Sequence, residues 1–255
     1  MMEICVLGSG SSGNCAWLGH RDGAILIDAG FSLKETRTRL ARAKLDPGKL
    51  RGVVVSHDHS DHIRGLGPLS RGLNLPVFIN RLTYEKIHRI IGDVYRVEFF
   101  DTGLDFMVDG IRAHPFSTSH DAADPCAFVF GVDGRKAGFL TDTGHVTTLA
   151  RQRLAGMDYL VVEANHDEAM LMAGPYPWSL KQRVASRQGH LSNAACAVLL
   201  DELRHSGLQG VTLAHLSETN NNPDLVRVEA GSALGGQTPY KVASQREPLA
   251  MTIIE

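Results

Sequence analysis

The sequence predicts an α/β fold in which paired β-sheets are flanked by helices. Three observations predict it. Short apolar runs of strand length recur from one end of the chain to the other. Helical stretches alternate with them. Asp133-Gly134, set between two such runs, reads as a tight hairpin turn, so antiparallel hairpins are mixed with strand–helix units. A doubly wound single sheet fits that mixture less well.

Taken in order, Glu3–Leu7 is a strand that runs into a Gly/Ser loop, Gly8–Cys15. Ala24–Asp28 is the next strand. Ser32–Ala43 follows as a helix, with Ser32 as N-cap and Glu35 three residues later in capping-box position. Gly52–Ser56 and Pro76–Asn80 are strands, Arg81–Ile91 a helix, and Val94–Phe100 a strand. Cys126–Val132 and Lys136–Thr141 are the two arms of the Asp133-Gly134 hairpin. Val146–Leu154 is helical, Tyr159–Glu163 a strand, Ser192–His205 a helix capped by Ser192, and Gly210–Ala214 a strand. Pro223 opens the helix Pro223–Leu234, where its missing N–H is not needed. Tyr240–Ser244 and Leu249–Ile253 are the last strands.

The bulk composition narrows the function classes. Hydrophobic residues at 43% and charged residues at 21% are ordinary for a 255-residue chain that buries a core. With no low-complexity tract, repeat or Pro/Ser-rich linker, residues 1–255 are expected to form a single domain. A formal net charge of −2 carries no global basic field, so any nucleic-acid surface must be local. Cys5, Cys15, Cys126 and Cys196 form no CxxC pair and are expected as reduced, buried thiols. The apolar run at the start is too short for a signal segment or a membrane span, and the expected location is cytoplasmic.

The chemistry is concentrated in Val53–Gly65, VVVSHDHSDHIRG. His57, His59, Asp61 and His62 follow an apolar strand, and a strand end that opens into a loop aims several side chains at one point. His and Asp suit zinc or manganese, and a dication makes such crowding favourable. The bland reading is a polar surface loop with accidental histidines, which is the usual meaning of a lone HxH and a poor account of four ligand-type residues at this spacing.

HxHxDH after a strand resembles the metallo-β-lactamase superfamily, whose fold is a four-layer αβ/βα sandwich with two metals at the sheet edges. Four further motifs stand in that family's order: Leu26–Gly30 (LIDAG), Ser117–Ala122 (STSHDA), Thr141–Gly144 (TDTG) and Leu213–Ser217 (LAHLS). The resemblance implies two divalent metal ions. His57, His59 and His120 would hold one, Asp61, His62 and His215 the other, Asp142 would bridge, and Asp28 would support the loop from behind. His114 competes with His120 for the third motif, and His145 for a place beside Asp142. Asp58 alternates away from its neighbours. His20, His88 and His205 are expected at the surface.

Val161–Asp167 (VVEANHD) and Gly189–Leu200 (GHLSNAACAVLL) resemble motifs of the superfamily's nucleic-acid-cleaving branch, in which a Glu and a distant His act at the leaving oxygen. They correspond to Glu163 and His190. His190 precedes the Ser192 cap, where backbone N–H groups of a helix start favour phosphate; the bland reading is a loop residue packed beside the helix. More closely, Gly8–Cys15, Ile27–Leu40, EANHD, GHLSN, Leu213–Pro223 and Val242–Gln245 resemble the YycJ/WalJ-like group, which is associated with 5′→3′ exonuclease action on DNA. The interval from Asp142 to His215 has no room for the large extra domain of ribonuclease J-type nucleases.

The implied activity is two-metal phosphodiester hydrolysis, with a bridging hydroxide oriented by Asp61 and a proton from His190. The substrate is nucleic acid, DNA more than RNA. The alternatives are a thioesterase or lactonase on the same site, and a non-catalytic nucleic-acid-binding metalloprotein. The Gly8–Cys15 loop, with Asn14, reads equally as a phosphate-holding loop or a tight strand connection. The basic runs Arg37–Arg51 and Lys181–Arg187 read as a nucleic-acid track or as solvated helix faces, and Tyr176, Pro177 and Trp178 as base-stacking groups or a packed loop.

Overall fold

The structure, a computed structural model, describes residues 1–255. Two seven-stranded sheets lie face to face, with helices on both outer faces. The first sheet comprises β1 (Met2–Gly8), β2 (Cys15–His20), β3 (Gly23–Ile27), β4 (Leu50–Val54), β5 (Pro76–Asn80) and β6 (Arg96–Phe100). The second comprises β7 (Phe106–Val108), β8 (Ile111–Ser117), β9 (Cys126–Val132), β10 (Arg135–Leu140), β11 (Tyr159–Glu163), β12 (Gly210–Ala214) and β13 (Tyr240–Val242). The last strand, β14 (Thr252–Ile254), returns to the first sheet and pairs antiparallel with β1. In each sheet one half is antiparallel (β14-β1-β2-β3 and β7-β8-β9-β10) and the other parallel (β3-β4-β5-β6 and β10-β11-β12-β13).

The four layers follow from the strand period of two. Along β1, Ile4 and Val6 enter the core between the sheets, whereas Cys5 and Leu7 enter the core beneath the helices. Along β11, Tyr159 and Val161 face the other sheet while Leu160 and Val162 face helices. Strands covered on both faces read as continuous apolar runs, which is why the pattern is so plain in the sequence. Helices α1 (Leu33–Arg42), α3 (Leu66–Leu73) and α4 (Arg81–Ile91) cover the first sheet through Leu40, Leu69 and Ile87. Helices α5 (Thr148–Leu154), α8 (Asn193–Leu203) and α9 (Pro223–Ala233) cover the second through Leu154, Leu199 and Val226.

The hairpin turn at Asp133-Gly134 forms as expected, with φ of 49° and 80° and Val132 opposite Arg135. Ser32 caps α1 by accepting the Glu35 N–H at 3.2 Å. The capping box is only half made, because the Glu35 carboxylate accepts from Arg39 instead, at 2.8 Å. The closing strand lies at Thr252–Ile254 rather than Leu249–Ile253; Leu249 donates its N–H to Val6 before that pairing begins. Several elements are additional to those expected. β8 holds Pro115, which argues against a strand. α3 holds Gly67, Pro68 and Gly72, but Pro68 falls in the first turn, where N–H groups have no intrahelical acceptor. No helix is long and apolar enough to cross a membrane.

Candidate metal centre

The site gathers at one end of both sheets. β3 delivers Asp28, β4 runs into His57 to His62 and the single-turn α2 (Ser60–Ile63), and the β8–β9 loop carries His120. Asp142 follows β10, Glu163 ends β11, and His215 follows β12. Parallel strands present their carboxyl ends on this side, where chain direction reverses and side chains converge. Asp28, Asp142 and His215 share one backbone property, with φ of 62°, 56° and 58°. That left-handed conformation is costly for most residues and least so for Asp, Asn and His, and here it turns each side chain out of its strand line into the cluster.

The ligand atoms of His57, His59 and His120 lie within 4.8 Å of one another, as do those of Asp61, His62 and His215. Asp142 sits between the two sets. Its Oδ2 is 3.4 Å from His62 Nε2, and its Oδ1 is 3.9 Å from His120 Nε2 and 3.3 Å from His215 Nδ1. The outer nitrogens are tied down. His57 Nδ1 meets Ser56 Oγ at 2.9 Å, His62 Nδ1 meets Asp28 Oδ2 at 2.8 Å, His120 Nδ1 meets the Gly189 carbonyl at 2.9 Å, and His215 Nδ1 meets Glu163 Oε1 at 2.8 Å. Those bonds fix the tautomers and aim four Nε2 atoms inward. His59 is reversed: its Nε2 approaches the Asp121 carbonyl at 3.3 Å, and its Nδ1 faces His120 Nε2 at 3.1 Å.

The donor set fits divalent cations. His57 Nε2, His215 Nε2 and Asp142 Oδ2 are buried without a hydrogen-bond partner, a costly arrangement unless a ligand receives them. Burial and the neighbouring rings hold His57 well below the ordinary imidazole range, the neutral form a cation needs. Burial pushes His62 and His215 the same way, but Asp142, with Asp28 and Asp61 around His62 and with Asp61 and Glu163 around His215, outweighs it. His62 is raised well above its usual range and His215 to about 10, so a cation there displaces protons.

Glu163, fully buried, organises a second layer. Its Oε2 accepts the N–H of Thr143 at 3.0 Å and of Leu191 at 3.1 Å, and its Oε1 accepts His190 Nδ1 at 2.7 Å. Burial raises the Glu163 carboxyl, but the rings of His190 and His215 prevail and hold it below the usual carboxylate range. Burial lowers His190, and the Glu163 charge reverses that, so the ring is raised. Two of the amides expected free beside His190 are engaged: Asn193 N–H goes to the His166 carbonyl and Ala195 N–H to Ser192 Oγ.

The Gly8–Cys15 loop resolves into a tight connection. The amides of Ser9, Gly10, Ser12, Gly13 and Asn14 all bond within the chain, to Ser244, Asn14, Gln245, Gly10 and Asp61, so the loop has no row of amides for phosphate. Its work is done by the side chain of Asn14, which the sequence singled out only as a member of the loop. Asn14 Nδ2 donates to Asp61 Oδ2 at 3.1 Å and lies 3.0 Å from His62 Nε2. Its Oδ1 accepts from Ser9 Oγ at 2.9 Å, and Ser9 Oγ accepts the His215 N–H at 2.9 Å. Asn14 therefore couples the first strand connection to both sheets' contributions. Gly30 makes this approach possible, since a Cβ there would stand 1.8 Å from the Asp61 carbonyl.

The competitors lie elsewhere. His114 pairs with Asp105 at 2.6 Å, and His145 exchanges hydrogen bonds with Arg187. Asp58 accepts the Ala123 N–H at 2.8 Å. His20, His88 and His205 bond backbone carbonyls of Asp109, Glu85 and Met157. The first basic run is largely structural: buried Arg39 donates to the Leu7 and Gln245 carbonyls, and Arg42 pairs with Glu247. Lys181 is likewise buried and donates to the Met172 carbonyl, whereas Arg183 lines the cleft, paired to Asp121 at 2.6 Å. Trp178 is exposed. All four cysteines are free and buried; burial pushes Cys5 up to about 11.

The fold and this cluster define a metal-dependent hydrolase class, and the chain belongs to it: residues 24–213 match the family model for the β-lactamase superfamily domain. Among curated proteins, it is 36% identical over 235 residues to exodeoxyribonuclease YycJ of Bacillus anthracis, covering 91% of this chain and 89% of that one. It is 32% identical to exodeoxyribonuclease WalJ of Streptococcus pneumoniae, over 99% of this chain and 97% of that one. Among solved structures, the metallo-β-lactamase fold protein YhfI of Bacillus subtilis superposes with a TM-score of 0.77 at 18% identity, over 98% of this chain and 99% of that one.

Proposed function

We propose that the chain is a metal-dependent phosphodiesterase acting on DNA, a 5′→3′ exonuclease that takes two cations, zinc or manganese. The relatives named exodeoxyribonucleases support the substrate class. The observation that carries the reading is the Glu163–His190 pair at 2.7 Å, in which buried Glu163 backs a His190 that lines the same 310 Å³ cleft as Asp61, Asp142 and His215. A thioester expels a thiolate that leaves without a proton, so a thioesterase gains little from a donor held there, whereas the sugar oxygen of a phosphodiester must be protonated.

When bound, the cations supply Lewis-acid charge to the phosphoryl oxygens and acidify water. His57, His59 and His120 would hold one, Asp61, His62 and His215 the other, with Asp142 shared. Asp61 and Asp142 orient the attacking water. The water loses one proton to solvent as its oxygen bonds to phosphorus, the bond from phosphorus to the departing sugar oxygen breaks, and His190 gives that oxygen its proton. Glu163 holds the imidazolium in register.

The test is a digestion time course on 5′-labelled single- and double-stranded DNA and RNA, with zinc and manganese supplied separately. Labelled mononucleotides are expected first, from DNA. Internal fragments first would overturn the exonuclease assignment, and turnover of thioesters alone would overturn the phosphodiesterase one. His190→Ala should lower kcat by about 10²–10⁴-fold while metal content by elemental analysis stays at the wild-type value.

A further inference from the structure

Three of the four strands at the sheet margins are short, and one is not. β7, β13 and β14 have three residues each, and short margins are one way a chain avoids stray pairing. β6 has five, and it pairs on one side only, in parallel with β5. No turn, loop or cap bonds the backbone of Arg96–Phe100, so its outward N–H and C=O groups have no partner within the chain. A margin of that kind is a template for another strand.

The side chains here are matched to a second copy of themselves. Tyr95-Arg96-Val97-Glu98-Phe99 reads aromatic, cationic, apolar, anionic, aromatic. With a second copy laid antiparallel and Val97 opposite Val97, Arg96 faces the Glu98 of the copy and Glu98 faces its Arg96. Tyr95, just before the strand, faces its Phe99. Opposite charges and aromatic pairs directly across an antiparallel ladder are both stabilising. A two-fold axis one residue along would set Arg96 against Arg96 or Glu98 against Glu98, so charge selects a single register.

These groups are available. Tyr95 is 56% exposed and Phe99 46%, although Phe99 already meets Tyr84 and the Arg81 guanidinium on α4. Arg96 and Glu98 are also accessible and hold each other at 2.7 Å, an exposed pair free to exchange partners across a ladder. The same flank carries more apolar surface. Leu104 and Met107 are exposed at β7, which lies beside β6 through the stacking of Phe106 on Phe100 at 4.7 Å. None of the residues lining the metal-centre cleft lies on β5, β6 or α4.

We propose that β6 is the seam of a homodimer, in which two copies pair antiparallel along Arg96–Phe100 with Val97 on the two-fold axis. The two first sheets then run on as one, and the open margin disappears. The interface is isologous, as a two-fold axis requires: the same patch serves both copies. Backbone pairing, Val97 and the Tyr95–Phe99 contacts supply the affinity, and the Arg96–Glu98 crossings supply the register. The proposal stands on the sheet margin alone and is independent of the reaction at the metal centre.

The test is sedimentation velocity on the full chain loaded with zinc, from about 1 to about 100 μM. Wild type is expected to dimerise within that range. Arg96→Glu sets glutamates against one another across the axis, and Glu98→Arg sets arginines. Each should weaken dimerisation at least about ten-fold. Arg96→Glu/Glu98→Arg restores opposite charges at both crossings and should return to within about two-fold of wild type. An equimolar mixture of the two single variants should form the mixed dimer, although each is mostly monomeric alone. Zinc content per chain checks that every variant is folded, since no metal-ligating residue lies on β6. Wild type monomeric throughout the range, or a dimer that neither single variant weakens, overturns the seam. So does a double variant or a mixture no more dimeric than the single variants, because the charges then do not meet across the axis.

Discussion

Single side chains at this centre serve two neighbours at once, and that sets what their replacement does. Glu163 Oε1 accepts from both His190 and His215. Glu163→Gln removes the charge that keeps both rings oriented, so both turnover and metal retention should fall, the latter by about 10–100-fold, as is usual when a partner behind a metal-ligating His is altered. Competition against a chelator dye measures it, and an unchanged affinity would separate Glu163 from the metal centre. Asn14 gives a more selective case. Its amide contacts Asp61 and His62 but none of His57, His59 and His120. Asn14→Ala should therefore weaken one cation about 10–100-fold and spare the other. Elemental analysis after dialysis against limiting chelator should find one ion per chain where wild type keeps two.

At the scale of elements, the strand ends and loops that carry the cluster are held by close backbone approach as much as by side chains. The Asn14 N–H donates to the Asp61 carbonyl, and the Gly30 N–H donates to the Asn14 carbonyl. Gly30→Ala inserts a methyl 1.8 Å from that Asp61 oxygen. It should cost about 1–3 kcal/mol of stability by forcing the loop outward. Ser192→Ala, which removes the α8 cap and the bond to Glu168 but places no atom against backbone, should cost about 1 kcal/mol. Denaturant midpoints compare the two, and a larger loss in Ser192→Ala would refute the packing argument. The same elements show what a sequence can and cannot reveal. The histidine-rich turn was legible because four ligand-type residues crowd after one strand, and Asp142 and His215 were legible only through the family resemblance of their motifs. The structural roles of Asn14 and Arg39 were not, since their partners lie far along the chain. α3 and β8 were hidden by Gly and Pro residues whose positions are harmless only once the helix start and the neighbouring strands are known.

For the whole molecule, the cluster spans the two halves. His57, His59, Asp61 and His62 come from the first sheet's edge, and His120, Asp142 and His215 from the second. Cations held there cross-link the halves, so metal should raise the melting temperature of the entire fold rather than order one loop. Each ion at about 100 times its Kd adds ~2.7 kcal/mol. Calorimetry before and after chelation should show one cooperative transition that shifts as a unit; two transitions, with only one responding, would refute the cross-link. The mixture of hairpins and strand–helix units made the paired sheets readable in advance, and the family resemblance the four layers, whereas the return of the last strand to the first sheet was not, because its partner, β1, lies at the other end of the chain.

That return has a consequence during synthesis. The flank of β1 is covered by Thr252–Ile254 and by the Leu249 N–H on the Val6 carbonyl, so a nascent chain can complete its helices and most of its second sheet while one margin of the first still exposes unpaired peptide groups. Until Leu249–Ile254 leave the ribosome, the margin is open to pairing with another chain. Clipping Thr252–Ile254 would make that condition permanent, and self-association, rather than lost chemistry, is the defect to expect.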